Sequence, residues 1–156
     1  MRKGSSMIKL DAATGGTQYE EARRLMEMAQ EARKFSYTPY SHFAVGAALL
    51  CEDGSIVSGC NVENAAYSPG NCAERTAIFK AVSEGKRAFK AIAVVGAKEG
   101  EVPDGVSVCT PCGVCRQVMG EFCEANSFWI YVTNGKGLFG YTLDELLPLA
   151  FGPAQL

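Results

Sequence analysis

The chain has 156 residues, enough for one domain that buries roughly two-thirds of the surface its unfolded form exposes. Hydrophobic residues account for 47% and charged ones for 21%, a globular balance, and no apolar run approaches the length of a bilayer-spanning helix. The formal net charge of −2 provides no attraction for a nucleic acid or a membrane surface, so neither is an expected partner.

In chain order, Met1-Arg2-Lys3 is basic, but Gly4-Ser5-Ser6 after it do not make an apolar signal core. Seven cysteines, an odd number without a secretory signal, argue against a disulfide framework and for metal or thiol chemistry in the cytosol. Residues 1–16 are small, polar and Gly-rich and read as a flexible tail, leaving 17–156 as a single domain. Thr17 with Glu20 makes a capping box, and Tyr19, Ala22, Leu25, Met26, Ala29 and Ala32 recur at helical spacing to about Phe35. Phe43 to Cys51 is apolar and β-leaning, Glu52-Asp53-Gly54-Ser55 is a turn, and Ile56 to Val62 returns as a second strand. Asn64 to Gly70 is loop.

Asn71 is the expected cap of a helix from Cys72 to about Glu84, stopped by Gly85. Ala91 to Val95 reads as a buried strand, Glu99 to Gly105 as a loop, and Val106 to Cys109 as a further strand or strand end. Thr110 as cap and Pro111 at the first helical position open a helix through about Cys123. Phe128 to Val132 is a strand, Asn134 to Gly137 a turn, and Leu143 to Leu147 a short helix stopped by Pro148. The order predicts an α/β fold, a three-layer α/β/α sandwich around a mixed five-stranded sheet.

The residues with the most chemistry are Cys72-Ala73-Glu74 and, forty positions on, Pro111-Cys112-Gly113-Val114-Cys115. A structural zinc site closes with four protein ligands, whereas a catalytic one uses three and keeps a position open for water. Three cysteines with a glutamate two residues from the first fit the second pattern, and they match a zinc-deaminase signature in its three-cysteine form. Both expected helices start at a cysteine, where the free N–H groups and the positive dipole end favour thiolate. Three thiolates on Zn²⁺ leave the site at net −1. Arg75 is placed to offset that charge by donating to the sulfurs, with Gln117 in a similar role.

Glu74 taken alone is a capping residue completing Asn71-x-x-Glu74. Next to a zinc ligand it becomes a general base and then acid, its carboxylate aimed at the water. A closed structural site would need a fourth ligand from Cys109, Cys51, Cys60, Cys123 or His42. Cys109 should point away from the helix mouth, and a lone histidine is usually a packing or hydrogen-bonding residue. Cys51, Cys60 and Cys123 read as buried small hydrophobes.

With these motifs placed, the chain resembles the small homotetrameric cytidine deaminases. The further matches are Tyr40-Ser41-His42-Phe43-Ala44-Val45-Gly46-Ala47, Gly59-Cys60-Asn61-Val62-Glu63-Asn64 and Leu147-Pro148-Leu149-Ala150-Phe151-Gly152-Pro153. Together they cover about residues 17 to 153. The resemblance implies hydrolytic deamination of cytidine and deoxycytidine, one Zn²⁺ per subunit held by Cys72, Cys112 and Cys115, and a proton shuttled by Glu74. It also implies that Phe43 packs on the pyrimidine, that the Ala73 backbone reads the base edge, and that Asn61 and Glu63 bind the ribose 3′-hydroxyl. Neighbouring subunits of a homotetramer would complete the site with Tyr67 and Phe151. Without the resemblance, Phe43 reads as core, Asn61 and Glu63 as hairpin polars, and Phe151 as a tail residue docked on its own subunit.

From Cys51 through Glu74 the chain has no Lys or Arg but carries Glu52, Asp53 and Glu63. Such a wall repels a phosphate and offers it no cation, which favours a free nucleoside over a nucleotide or a polynucleotide. Two other readings stay open. One is a relative acting on another aminated base or on an antibiotic such as blasticidin S; the other is a non-catalytic zinc-stabilised binding module.

Overall fold

The computed structural model describes residues 7–13 and 16–156. In chain order it contains β1 (Ile8–Leu10), α1 (Gly16–Arg33), β2 (Phe43–Cys51), β3 (Ile56–Cys60), α2 (Ala73–Ser83), β4 (Phe89–Lys98), α3 (Gly113–Phe122), β5 (Trp129–Thr133), β6 (Leu138–Thr142) and α4 (Leu143–Leu146). The strands form one sheet in the order β1-β6-β5-β4-β2-β3, antiparallel throughout except for β4 and β5. Among the described residues no helix is long and apolar enough to cross a membrane.

Period-two alternation divides the buried side chains between two faces. Ala48, Leu50, Ala91, Ala93, Val95 and Tyr131 pack with Leu25, Met26 and Ala29 of α1. Ala47, Leu49, Ile92, Val94, Ile130 and Val132 pack with Ile78 of α2 and with Cys115 and Met119 of α3. The sheet therefore sits between helical layers, as the element order predicts. Two glycines set how closely the helices lie on it. A Cβ at Gly46 would meet Ala29 O of α1 at 1.9 Å, and one at Gly59 would meet Ala77 N and Ala73 O of α2 at 2.5 and 2.7 Å.

The sheet has six strands rather than five, and its membership differs from the sequence expectation. Val106 to Cys109 is not a strand: the Asp104 carboxylate accepts from Val106 N and Ser107 N at 2.9 and 3.1 Å, committing that backbone to a turn. β6 is additional, returning from the Asn134–Gly137 turn to pair with β5. Its pattern is hidden by Gly140, over which the Trp129 ring lies with 3.3 Å to an ideal Cβ. β1 is also additional and corrects the tail reading for its own span, since Ile8–Leu10 pairs with β6 and Leu10 is buried. Three residues are too few for alternation to register. The rest of the tail expectation falls partly on residues 1–6, 14 and 15, which lie outside the described residues.

Helix starts shift by one or two positions. α1 begins at Gly16, so Thr17 lies inside its first turn rather than capping it. Cys72 is the N-cap of α2 and Cys112 that of α3, in place of Asn71 and Thr110. Their carbonyls accept from Thr76 N and Arg116 N, both at 3.0 Å. Gly85 stops α2 as expected, with φ +85° and Lys86 N donating to Ala81 O at 2.9 Å.

Candidate metal centre

The two N-caps meet. β3 leads into residues 61–71, which fold back so that Val62 and Asn71 exchange hydrogen bonds of 3.0 and 2.9 Å, and this delivers Cys72 to the start of α2. Asn71 Nδ2 donates to Thr76 Oγ1 at 3.2 Å, holding the first turn of α2 from outside. Arg116 fixes the start of α3, its Nε donating to Pro111 O at 2.8 Å and its Nη1 to Leu146 O at 2.9 Å.

The Cys72 and Cys112 sulfurs lie 3.9 Å apart, Cys112 and Cys115 lie 3.5 Å apart, and all three fall within 4.8 Å of one another. Thiolates about 2.3 Å from a tetrahedral zinc are about 3.8 Å from each other, so the cluster has the dimensions of three such ligands. Its electrostatics point the same way. Hydrogen bonding from the Cys115 thiol, with Arg75 assisting, holds Cys72 down to about 5. The Cys115 thiol is pushed up, first by its hydrogen bond to Cys72 and then by burial. Three sulfurs this close cannot all ionise together without a cation among them.

Neither Cys109 nor His42 joins the cluster among the described residues. Burial pushes the Cys109 thiol up to about 11, and its sulfur packs over Gly96 next to the Phe43 ring. His42 Nδ1 faces Glu99 Oε2 at 3.4 Å instead. Among the described residues the cluster offers three candidate ligands, the number that a catalytic zinc site uses.

Glu74 is the second residue of α2; the N-cap is Cys72, and Asn71 N donates to Val62 O at 2.9 Å, so the Asn71-x-x-Glu74 capping box does not form. Glu74 is only 4% exposed. Burial pushes the carboxyl up to about 7, and the Cys72 sulfur adds negative charge nearby. A carboxyl near neutrality can both take and return a proton at physiological pH. Arg75 Nη2 donates to Cys72 Sγ at 3.5 Å, while its Nε is buried without a hydrogen-bond partner. The guanidinium thus turns a donor to the Cys72 sulfur. Gln117 does something else: its Nε2 donates to Phe151 O at 2.8 Å and so ties the C-terminal segment to α3.

A cavity of about 540 Å³ opens beside Cys72, and Tyr40, Asn61, Glu63, Tyr67 and Arg75 help to line it. Among the described residues, Arg75 is its only cationic wall residue. Asn61 bridges two backbone groups of β2, with Nδ2 donating to Phe43 O at 2.9 Å and Oδ1 accepting from Val45 N at 2.8 Å. Glu63 accepts from Tyr40 N at 2.9 Å, from Ser41 N at 3.2 Å and from Ser41 Oγ. Phe43 is 39% exposed, Ala73 is fully buried at the start of α2, Tyr67 is 99% exposed and Phe151 is 61% exposed. Phe151 is not among the cavity residues of its own chain. The sequence reading assigned no role to Ser41 or Gly96. Ser41 hydrogen-bonds two site residues, and a Cβ at Gly96 would meet Cys109 Sγ and Phe43 Cε1 at 2.7 Å. A serine or glycine inside a motif carries no mark of which neighbour it serves.

The family model described as the cytidine and deoxycytidylate deaminase zinc-binding region matches residues 19–131. A cytidine deaminase of Sporosarcina psychrophila is 53% identical over 137 residues, 87% of this chain and 95% of that protein. A blasticidin-S deaminase of Bacillus cereus is 35% identical over 128 residues, 81% of this chain and 89% of that protein. The crystal structure of cytidine deaminase from Burkholderia pseudomallei superposes with a TM-score of 0.73 at 46% identity, covering 83% of this chain and 98% of that one. The family match spans α2, α3 and all three sulfurs between them, so the cluster and its buried carboxyl lie inside the shared region. The chain belongs to the cytidine and deoxycytidylate deaminase zinc-binding family.

Proposed function

We propose that this protein is a zinc-dependent cytidine deaminase, converting cytidine and deoxycytidine to the uridine products with release of ammonia. The observation that carries the reading is the buried Glu74 in the first turn of α2, beside three sulfurs spaced for one cation. Cys72, Cys112 and Cys115 would hold the zinc, which would supply Lewis-acid activation of water at neutral pH. Glu74 would take one proton of the water as its oxygen bonds to C4 and pass it to ring N3, then carry the remaining proton of the new C4 hydroxyl to the amino group as the C4–N bond breaks and ammonia leaves. Arg75 offsets the charge of the thiolates. Phe43 packs on the pyrimidine, the Ala73 N–H, free at the helix start, reads its edge, and Asn61 and Glu63 take the ribose 3′-hydroxyl. Tyr67 and Phe151 project outward, which fits contributions to neighbouring copies in a homotetramer. Seven free cysteines favour a reducing, cytoplasmic setting.

The cavity wall carries Glu63 and only Arg75 as a cation, and Arg75 is engaged with sulfur, so a nucleoside fits better than a nucleotide. A panel of cytidine, deoxycytidine, cytidine monophosphate and blasticidin S on zinc-assayed protein tests this. Turnover of the two nucleosides with little of the monophosphate is expected. Blasticidin S turned over in preference to cytidine would overturn the substrate assignment, and comparable turnover of the monophosphate would overturn the phosphate argument.

A further inference from the structure

We propose that Ser41 is a positioning residue that couples recognition of the sugar to seating of the base. The inference rests on the reading above of Asn61 and Glu63 as sugar-binding and of Phe43 as the ring that packs on the pyrimidine.

Ser41 Oγ donates to Glu63 Oε1 and at the same time accepts from Phe43 N at 3.1 Å. Ser41 N also donates to Glu63 Oε2, at 3.2 Å. One hydroxyl therefore stands between the carboxylate that faces the cavity and the backbone that carries the aromatic ring. The other side of Phe43 is held by the second sugar residue, because Asn61 Nδ2 donates to Phe43 O at 2.9 Å. The residues assigned to the sugar and the residue assigned to the base form one hydrogen-bonded unit. Hydrogen bonding from Ser41, more than any other cause, keeps the Glu63 carboxyl below its ordinary range, so the link is charge-assisted.

The intervening residue shows why the link matters. His42 has φ +54°, a left-handed conformation that a non-glycine residue keeps only where its surroundings hold it. His42 N donates to Thr38 O at 3.0 Å, and Glu99 N donates to His42 O at 2.8 Å. Glu99 further accepts from Thr38 Oγ1 and faces His42 Nδ1 at 3.4 Å. Glu99 thus clamps one side of the turn, and Glu63, acting through Ser41, clamps the other. Releasing the Ser41 side frees the strained turn to relax, and Phe43 moves with it. A 3′-hydroxyl docked on Glu63 steadies the same link from the cavity side, so sugar and base binding reinforce each other.

Steady-state kinetics on cytidine and 3′-deoxycytidine, for wild type, Ser41→Ala, Ser41→Cys and Ser41→Thr at matched zinc content, test the coupling. Losing a hydrogen bond to a charged group predicts an increase in KM for cytidine of about tenfold in Ser41→Ala, with kcat within about threefold. The KM increase on removing the 3′-hydroxyl, large in wild type, shrinks in Ser41→Ala because the hydroxyl link from Glu63 to Phe43 N is gone, leaving only the backbone donors of Tyr40 and Ser41 on the carboxylate. Ser41→Thr, which keeps the hydroxyl, restores both values. Ser41→Cys keeps the volume with a weak donor, behaves like Ser41→Ala, and carries the test if the alanine variant does not fold. An unchanged KM, or an equal increase for both substrates, overturns the coupling. Absence of cytidine turnover in wild type would instead overturn the function on which the coupling rests.

Discussion

Arg75 follows Glu74 directly and aims at the sulfurs, Nη2 lying 3.5 Å from Cys72 Sγ. Removing such an outer hydrogen bond typically costs about 10–100-fold in metal affinity, and Arg75→Ala is expected to show that loss in a chelator competition. Unchanged zinc affinity would mean that the guanidinium serves only packing. Gly96 makes a second prediction at this scale. A Cβ there would lie 2.7 Å from both Cys109 Sγ and Phe43 Cε1, so Gly96→Ala must displace one of them. It should raise KM for cytidine and cost about 1–3 kcal/mol in denaturant unfolding, the range for overpacking. Adding Cys109→Ala should recover part of both losses; no recovery would mean the strain lies elsewhere. The clustering of Cys72, Cys112 and Cys115 was legible in the sequence because cysteine identity at that spacing already points to a shared metal. Gln117 was not legible in the same way. Its identity gives a hydrogen-bonding amide, but only the docked C-terminal segment decides that Phe151 O receives it.

At the scale of elements, the site is made by two helix starts brought together, and the packing of α2 on β3 sets one of them. Gly59 permits that approach, since a Cβ would come within 2.5 Å of Ala77 N. Gly59→Ala is expected to lift the first turn of α2, carrying Cys72 and Glu74 with it. Zinc content and unfolding free energy should fall together, the latter by about 1–3 kcal/mol. Full zinc occupancy with unchanged stability would show that α2 is positioned by other contacts. The helices and the long strands β2 and β4 could be read from periodicity because each buries a long, patterned face. The strands missed were short or masked: β1 is three residues, and β6 carries a glycine under Trp129. The Asn134–Gly137 turn was recognised, and a turn of that kind between apolar segments is itself a signal for the returning strand. The helix caps were misread because serine-like and amide residues are the usual caps, whereas here the metal-binding cysteines occupy those positions.

For the whole molecule, one cation would join α2 to α3, segments forty positions apart in the chain, so metal binding and folding are linked. Chelation should lower the melting temperature and restoring zinc should raise it; a melting temperature indifferent to zinc would mean that the sulfurs hold no metal in the folded protein. Tyr67 and Phe151 stand outward at 99% and 61% exposure, so the proposed sharing of sites predicts a particle of four chains by light scattering. A monomer with full activity would remove both residues from the site. The α/β/α layering was legible from the order of elements. The assembly was reached through family resemblance, because outward aromatics in one sequence do not say what they meet.

If the three cysteines hold zinc while Glu74 moves the proton, losing the Glu74 acid all but abolishes turnover and leaves the metal in place. Zinc content and cytidine turnover are determined on the same preparation of Glu74→Gln, which keeps the shape of the side chain and removes its acid. One zinc per chain is expected, with turnover reduced by about 10²–10⁴-fold, the contribution of a positioned general acid–base. Turnover near the wild-type rate at full zinc occupancy would contradict the assigned mechanism.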